Sequence, residues 1–209
     1  EAVNRIQSVE ETRAVVEGLT KQIWDVGRDF GTIAAKVHGE NVEITTYRAD
    51  TYRDDSRKPA VAFGDTIEGD LVRRDFTINA LALMLPELRL VDVSGGLEDL
   101  LAGRITTPGS PEASFTDDPL RAARFASQLG FEVASEVQAA MAEFAPRLEI
   151  VSAERIRDEL VKLLSTDDPL PGIRLLVETG LASRFLPELV DLVATQDDHG
   201  RHKDVYEHS

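Results

Sequence analysis

The sequence has no cysteine, no long apolar run and no surplus of basic residues. Without cysteine, disulfides, thiolate metal sites and cysteine nucleophiles are excluded, and the 209-residue chain suits a reducing cytoplasm. No apolar run approaches the roughly 20 residues of a membrane helix, and no basic-then-apolar signal is present, so we expect no membrane partner. Acidic residues outnumber basic ones by 38 to 23, for a net charge of -15. A nucleic acid would therefore need a local site rather than a generally basic surface.

The beginning of the chain has the pattern of one helix followed by a small sheet. Ser8 and Glu11 form a capping-box pattern ahead of Val15, Val16 and Leu19, which predicts a short amphipathic helix. Three short runs rich in β-branched residues follow, separated by glycine and asparagine. They predict strands of one sheet: IWDVG, GTIAAKV and NVEITTYR.

The strand NVEITTYR places a carboxylate on an accessible face. Val42 and Ile44 alternate with Glu43, so Glu43 is expected to face away from the apolar side of the sheet. The polar stretch 48–66 has no period and predicts a long mobile loop. ELRLVDV returns to strand character, LEDLLAGRIT predicts a helix and then a strand, and the β-containing part is expected to end near Thr107.

From Pro108 onward the pattern is helical. Four segments separated by Gly, Pro or Ser predict helices: PLRAARFASQLG, SEVQAAMAEFA, SAERIRDELVKLL and PLPGIRLLVETG. The predicted fold class is α+β, a β-containing part followed by an all-α part, with domain limits at 1–107, 108–195 and 196–209.

The stretch GDLVRRDFTINALAL has the chemistry of a phosphate site. Arg73 and Arg74 offer planar guanidinium groups whose donors match phosphate oxygens. Asp75 can orient such a group, and Asn79 can bond a ribose hydroxyl or the backbone. A solvated helix end with an ion pair explains the same residues equally well, so this stretch leaves both interpretations open.

The stretch TDDPLRAARF places an acid and two bases along one helix face. We predict Asp118 as the N-cap and Pro119 as the first helical residue, which is a sufficient structural role for the acid. Arg121 and Arg124 follow at intervals of three, on the same face. A carboxylate accepts from a base amino group and a guanidinium donates to ring acceptors, so Asp118 and Arg121 can read a nucleobase edge. Alone, this motif fits a cap with an ion pair better.

Two further charged clusters are better explained by solvation. SAERIRDEL has the pattern of a salt-bridged helix face, in which Arg155 is kept as a candidate RNA or phosphate contact. The tail histidines fit a solvated loop better than a metal site: His199, His202 and His208.

Taken in order, these segments resemble the bacterial class II tRNA nucleotidyltransferases, the family of the CCA-adding enzymes, and their close relatives the bacterial poly(A) polymerases. The likeness spans almost the whole chain and rests on seven segments: FGTI, VEITTYRAD, AFGDT, EGDLVRRDFTINALA, LVDVSGGLEDLLAGRI, FTDDPLRAARFASQLGF and ERIRDELVKLL. The resemblance implies a polymerase-β-like nucleotidyltransferase head followed by a helical neck and body. It also implies a magnesium-dependent enzyme that uses CTP and ATP on the tRNA 3′ end.

The resemblance also implies roles for the residues of the first motif. The family's R-R-D-F-T-x-N motif serves the incoming nucleotide, which places Arg74 at the phosphates. Arg73, Asp75 and Asn79 are then expected around the ribose and triphosphate.

In the second motif, Asp118 and Arg121 match the family's D-x-x-R pair, which reads CTP or ATP by Watson–Crick-like hydrogen bonds. Arg124 matches the arginine before the phenylalanine of that helix. Glu43 matches the third carboxylate of the head domain and is the expected catalytic and metal-binding residue of this chain.

Two departures from the family pattern affect this assignment. Arg121 is followed at once by Ala122-Ala123-Arg124-Phe125, about one helical turn shorter than in the family. The family's D-x-D strand, which holds two divalent ions, and the Gly-Gly-x-Val-Arg-Asp loop before it are absent. We therefore expect the chain to be a portion of a longer enzyme, with a head that is incomplete at its N-terminus.

The tail HKDVYEHS resembles the opening of an HD phosphohydrolase domain, with His208 as a first ligand that lacks its partners. The sequence thus favours CCA addition. Poly(A) addition remains a rival because the base-reading motif is shared, and a non-catalytic RNA- or nucleotide-binding module is a rival of another class.

Overall fold

The chain forms two compact units, residues 1–73 and 74–209. The computed structural model describes residues 8–25, 31–51, 60–63, 66–112 and 119–194, and of 48–51 and 60–63 the backbone alone. None of the helices in these ranges has the length and apolar character needed to span a bilayer. The predicted domain limits at 107 and 195 stay predictions.

The first unit begins with the predicted helix, α1, Val9–Glu17, whose N-cap Ser8 accepts a hydrogen bond from the backbone N–H of Glu11. Ser8 is therefore confirmed as the N-cap of the predicted helix. The helix packs against a three-stranded antiparallel sheet in the order β1-β2-β3, which confirms that the three runs form strands of one sheet. Its strands are β1, Ile23–Trp24, β2, Thr32–Val37, and β3, Glu40–Thr45.

The prediction of a long loop over 48–66 was wrong, because this stretch contains two paired strands. Strands β4, Arg48–Thr51, and β5, Ala60–Phe63, pair antiparallel, and α2, Ile67–Val72, follows from the N-cap Thr66. The amino-acid sequence of 48–66 has no period, but strand pairing is made by backbone groups, which need no side-chain period. Residues 52–59 lie outside the described residues.

The second unit opens with a 3-10 turn, Thr77–Asn79, and an antiparallel pair, β6, Leu81–Met84, with β7, Arg89–Asp92. The predicted helix and strand of LEDLLAGRIT follow as α3, Gly96–Ala102, and β8, Arg104–Ile105. The prediction of an all-helical region after Pro108 needs one addition. The two-residue strand β9, Glu132–Val133, pairs parallel with β8 and is too short for a sequence period to reveal.

The four helices predicted after Pro108 are confirmed as α4, Leu120–Leu129, α5, Ser135–Phe144, α6, Ala153–Leu164, and α7, Leu170–Glu178. The structure adds a 3-10 segment, Ala145–Ile150, and two helices that were not predicted, α8, Ala182–Phe185, and α9, Pro187–Ala194. Pro119 precedes α4 rather than opening it, a difference of one residue that lies within the usual variation of helix ends.

The core of the second unit lies between α4 and the helices that pack on it, α6 and α7. Ala122, Ala123 and Leu176 are almost fully buried there. A Cβ on Gly172 of α7 would lie 2.3 Å from the carbonyl oxygen of Ala123, so only glycine permits this close crossing. Ser127 accepts from the N–H of Gly172 at 2.8 Å. This crossing fixes α4, the helix that carries Arg121 and Arg124.

Candidate nucleotide site

The turn that follows Arg74 is closed by the carboxylate of Asp75. Its Oδ1 accepts from the backbone N–H of Phe76 at 2.9 Å and from Nδ2 of Asn79 at 3.0 Å. Because both donors come from the same short segment, the carboxylate is held in one orientation by its own turn. Two residues predicted for one site, Asp75 and Asn79, are thus in direct contact.

The same carboxylate connects the two motifs. Nη1 of Arg121 lies 3.5 Å from Oδ2 of Asp75, and the side chains are 40% and 24% exposed. Beneath this pair, the ring of Phe76 meets that of Phe125 edge to face, with centroids 5.1 Å apart. Phe76 is 1% exposed, so the turn is anchored on α4 by an aromatic contact as well as by charge.

A buried carboxylate supports the turn from the other side. Asp99 accepts from Oγ1 of Thr77 at 2.6 Å, from Oγ1 of Thr106, and from Nε of Arg104 at 2.8 Å. Burial by itself would raise the pKa of Asp99, but these hydrogen bonds outweigh it, and the pKa lies below its ordinary value. The carboxylate therefore stays charged and fixes Thr77 against β8.

The glycine at position 96, at the start of α3, is required by the close approach of this helix to the same turn. A Cβ on Gly96 would lie 2.1 Å from the carbonyl oxygen of Thr77, so α3 can approach the turn only with glycine at this position. Asp92 accepts from the backbone N–H groups of Gly96 and Leu97 at the start of α3. Sequence reasoning missed Asp92 and Asp99 as supports of the site. For Asp92, the signal was an acid placed just before a Gly-Gly helix start.

The arginines of the first motif differ in their surroundings. Arg73 donates from Nε and Nη2 to Oδ1 of Asp70, a carboxylate 4% exposed at the end of α2. Arg73 therefore neutralises a buried acid of the first unit, as the ion-pair interpretation predicts. Arg74 is exposed in the second unit. Asp118 lies outside the described residues.

Arg124 forms its ion pair with Glu159 rather than with Asp75. Its Nε lies 2.6 Å from Oε2 of Glu159, its Nη1 donates to Gln128 at 2.9 Å, and Lys162 also reaches Glu159 at 2.8 Å. Burial by itself would raise the pKa of Glu159. The hydrogen bonds from Lys162 and Arg124 have the larger combined effect, so the pKa lies below its ordinary value. Arg124 thus joins α4 to α6, and Arg121 alone of this pair meets the turn.

Two family models match the chain. "Poly A polymerase head domain" matches residues 3–106, and "Probable RNA and SrmB-binding site of polymerase A" matches residues 130–192. The chain is also 40% identical over 182 residues to the CCA-adding enzyme of Latilactobacillus sakei, covering 85% of this chain and 45% of that protein. The chain belongs to the family of CCA-adding enzymes and poly(A) polymerases.

Solved structures of this family share the fold, a nucleotidyltransferase head followed by a helical body. The crystal structure of the Bacillus stearothermophilus CCA-adding enzyme in complex with CTP matches with a TM-score of 0.73 and 35% identity, over 83% of this chain and 41% of that one. The Thermotoga maritima CCA-adding enzyme complexed with tRNA_CCA matches with a TM-score of 0.68 and 28% identity, over 87% and 42%. The chain thus spans less than half the length of each of these three relatives.

The carboxylate that the family pattern assigns to catalysis lies in the first unit. Glu43 is exposed on β3, opposite to the buried face of Ile33 and Ala35, as the alternation predicts. In the described ranges, no group of three or more His, Asp and Glu side chains is placed to hold a metal ion. These residues alone therefore do not fit the two-ion site of the family, and Glu43 is a single candidate ligand.

The remaining candidates lie on the surface or outside the described part. Arg155 is exposed on α6, where its backbone N–H donates to Ser152, the N-cap. Arg157, further along the same helix, pairs with Asp158 at 2.7 Å, as expected for a salt-bridged face. The tail histidines, including His208, lie outside the described residues.

Proposed function

We propose that the chain is part of a template-independent RNA nucleotidyltransferase that adds CCA, from CTP and ATP, to tRNA 3′ ends and releases pyrophosphate. The observation that carries the proposal is the pairing of Asp75 with Arg121. It joins the nucleotide motif to the base-reading motif in a chain of this family. CCA-adding enzymes are also the relatives with 40% identity.

Phosphate recognition is assigned to Arg74. Arg74 is an exposed residue that immediately precedes the turn held by Asp75, and a guanidinium offers donors that match phosphate oxygens. Arg73 takes a supporting role, because its donors engage the buried Asp70. Asn79 and Asp75 face the ribose, where an amide and a carboxylate can exchange hydrogen bonds with hydroxyl groups.

Base reading is assigned to Asp118 and Arg121. Cytosine and adenine each present an amino donor beside a ring nitrogen acceptor, so one carboxylate and one guanidinium match both bases. Uracil and guanine present a carbonyl beside a ring N–H, which reverses both polarities. The pair therefore selects CTP and ATP together, and Asp75 holds the guanidinium of Arg121 through the contact of 3.5 Å between Oδ2 and Nη1.

Magnesium is proposed for the whole enzyme, where it would activate the RNA 3′ hydroxyl and stabilise the leaving pyrophosphate. Glu43 is the residue proposed here to contribute one ligand, with the further ligands supplied from outside the described residues. We also propose the domain limits 1–107 for the head and 108–195 for the neck and body, with 196–209 as a linker or the start of an HD domain. Arg155 is proposed as a tRNA contact, and the cytoplasmic location stays a prediction.

The test combines nucleotide binding with incorporation. Calorimetric titration of the chain with CTP, ATP, UTP and GTP should give at least about tenfold tighter binding of CTP and ATP, because the wrong bases leave polar groups unpaired. Labelled CTP and ATP are then offered, with magnesium, to a tRNA that lacks its 3′ CCA.

Each outcome separates the candidate functions. Incorporation of CTP before ATP supports CCA addition, and incorporation of ATP alone supports poly(A) addition. Selective binding without incorporation supports a nucleotide-binding module for this chain. Equal affinity for all four nucleotides contradicts the assignment of Asp118 and Arg121.

A further inference from the structure

A polar groove of about 530 Å³ lies between α4 and α6 of the second unit. Its volume is within the usual range of small-ligand sites, roughly 300–1,000 Å³. The α4 side is formed by Arg124, Ser127 and Gln128, which share one face of the helix because they are spaced by three and four residues. Neither Asp75 nor Arg121 lines this groove, so it is separate from the contact that joins the two nucleotide motifs.

The end of α6 presents hydrogen-bond acceptors to the groove. Oγ of Ser165 donates to the carbonyl oxygen of Val161, and Oγ1 of Thr166 donates to that of Leu163, both at 2.7 Å. Because each hydroxyl hydrogen is used at the helix end, each oxygen offers the groove its lone pairs. Asp167, the next residue of the lining, adds a carboxylate, and the C-terminus of a helix carries partial negative charge. This part of the groove therefore favours an ammonium group.

Two other lining residues present donors. Oε1 of Gln128 accepts from Nη1 of Arg124 at 2.9 Å, which leaves the two N–H groups of the Gln128 amide for a ligand. Nζ of Lys162 donates to Oε1 of Glu159 at 2.8 Å, and the lysine side chain is 59% exposed. An ammonium has three N–H groups, so two of those on Lys162 can serve a ligand. Gln128 and Lys162 together favour a carboxylate.

The charges at the groove balance one another. Arg124 and Lys162 supply two positive charges, while Glu159, which contacts both, and Asp167 supply two negative ones. A phosphate or a polyanion would be repelled by Asp167, and a diamine would be repelled by Lys162. A molecule with one carboxylate and one ammonium complements both parts of the lining and adds no net charge.

We infer that the groove binds a free amino acid as its zwitterion. The carboxylate of the ligand accepts from Lys162 and Gln128, and its ammonium donates to Ser165, Thr166 and Asp167. Since every residue of the lining is polar, an amino acid with a polar side chain, such as serine or glutamine, fits better than an apolar one. Binding here is non-covalent and does not depend on the nucleotide reaction.

The experiment follows the NMR spectrum of the isotope-labelled chain during titration with L-serine and with L-glutamine. Resonances of the Gln128 side-chain amide and of the backbone N–H groups of Thr166 and Asp167 should shift, because these groups border the ligand. The dependence of the shifts on ligand concentration gives the dissociation constant. Absence of these shifts with both amino acids would overturn the proposal, and so would small shifts spread evenly over the chain.

Ligands with a single charged group test the zwitterion. Acetate and ethylammonium should each bind at least about fivefold more weakly than serine, because each leaves one part of the lining without its partner. Inorganic phosphate that binds more tightly than serine would make the groove an anion site. Ethylammonium that binds more tightly than serine would make it a cation site, and either result would overturn the proposal.

Two variants separate the two parts of the lining. Lys162→Gln should weaken the binding of serine and acetate about fivefold, as expected for one charged hydrogen bond at a half-exposed site, and leave ethylammonium binding unchanged. Asp167→Asn should weaken serine and ethylammonium by a similar factor and leave acetate binding unchanged. General damage to the fold would weaken all three ligands in both variants, so equal losses for acetate and ethylammonium would contradict the assignment.

Matched controls come from the same helix. Leu164→Ala removes an apolar side chain of α6 that is 52% exposed, and Asp158→Asn removes a negative charge from an exposed pair of α6. Neither residue lines the groove, so both variants should keep the affinity for serine. If either control weakens serine binding as much as Lys162→Gln does, the site assignment is wrong.

Failure of the groove assignment and failure of the proposed function give different results. Selective binding of CTP and ATP, without shifts of Gln128 and Thr166 on addition of serine or glutamine, keeps the proposed function and overturns the amino-acid site. Serine binding that depends on Lys162 and Asp167, without any nucleotide preference, supports the amino-acid site and removes the base-reading assignment.

Discussion

Asp75 holds Arg121 across two segments that are 46 positions apart in the chain, with Oδ2 and Nη1 3.5 Å from each other. The carboxylate is itself oriented by Phe76 and Asn79. Since neither helix α4 nor the turn can shift without breaking these contacts, the guanidinium is presented in a restricted orientation. A restricted orientation is what recognition of a base edge requires.

Asp75→Asn should lower the affinity for CTP and ATP by about two- to fivefold. The amide keeps the contact with the Phe76 N–H but loses the charge that holds Arg121, and partly exposed ion pairs contribute about 0.2–1 kcal/mol. Calorimetric titration measures the change. Asp158→Asn, which removes the charge from an exposed pair on α6, is the control and should have no effect on nucleotide affinity.

Arg121→Ala and Arg74→Ala should affect nucleotides differently. Loss of Arg121 removes a base contact, so the preference for CTP and ATP over UTP should fall, while RNA binding stays. Loss of Arg74 removes a phosphate contact that all nucleotides share, so their affinities should fall together. Asp118→Ala should behave as Arg121→Ala does. Unchanged CTP and ATP selectivity in Arg121→Ala would contradict the base-reading role.

Arg124→Met should destabilise the second unit by about 3 kcal/mol, because it removes one partner of a largely buried ion pair and leaves Glu159 with Lys162 alone. Urea unfolding followed by circular dichroism measures the loss. Arg157→Met, from an exposed pair with side chains 67% and 56% exposed, should cost less than about 1 kcal/mol. Similar losses in both variants would show that the Arg124–Glu159 ion pair stabilises the fold no more than an exposed pair does.

Gly172→Ala should destabilise the crossing of α4 and α7 by about 1–3 kcal/mol, because the added Cβ would lie 2.3 Å from the Ala123 carbonyl oxygen. Gly109→Ala is the matched control, since a Cβ there would meet nothing within 4 Å. Its stability should change by less than about 0.5 kcal/mol. Thermal unfolding measures the stability of the two variants. Equal melting temperatures would show that α7 can shift away from α4 without loss of stability.

Stability should fall in acid. The pKa values of Asp99 and Glu159 are lowered in the folded chain, so the unfolded chain binds more protons once the pH drops below about 4.5. Near neutral pH, these two carboxylates should leave the free energy of unfolding constant. It should decrease as the pH falls from about 4.5 toward the lowered pKa values of Asp99 and Glu159 in the folded chain. Urea unfolding at pH 7, 5, 4 and 3 measures this. Asp99→Asn should show a shallower decrease, and an equal slope in the variant would remove Asp99 from the explanation.

The helices of the second unit could be predicted because local signals specify them. Apolar residues recur at helical spacing in ERIRDELVKLL and PLPGIRLLVETG, and glycine or proline lies at their ends, so each helix is encoded within its own segment. The β4–β5 pair and the parallel β8–β9 contact could not be predicted in this way. These strands are only two to four residues long, and their hydrogen bonds join backbone groups, which leave no period in either segment.

The sequence by itself determined the residue types of the candidate site and the helix that carries Arg121 and Arg124, because spacing along a helix sets which residues share a face. Only the tertiary structure decided their partners. Arg121 meets Asp75, whereas Arg124, one turn later, is drawn to Glu159 of α6. An arginine pairs with the carboxylate that chain folding brings within a few ångströms, and that proximity depends on how α4 packs against the turn and against α6 rather than on spacing along the chain.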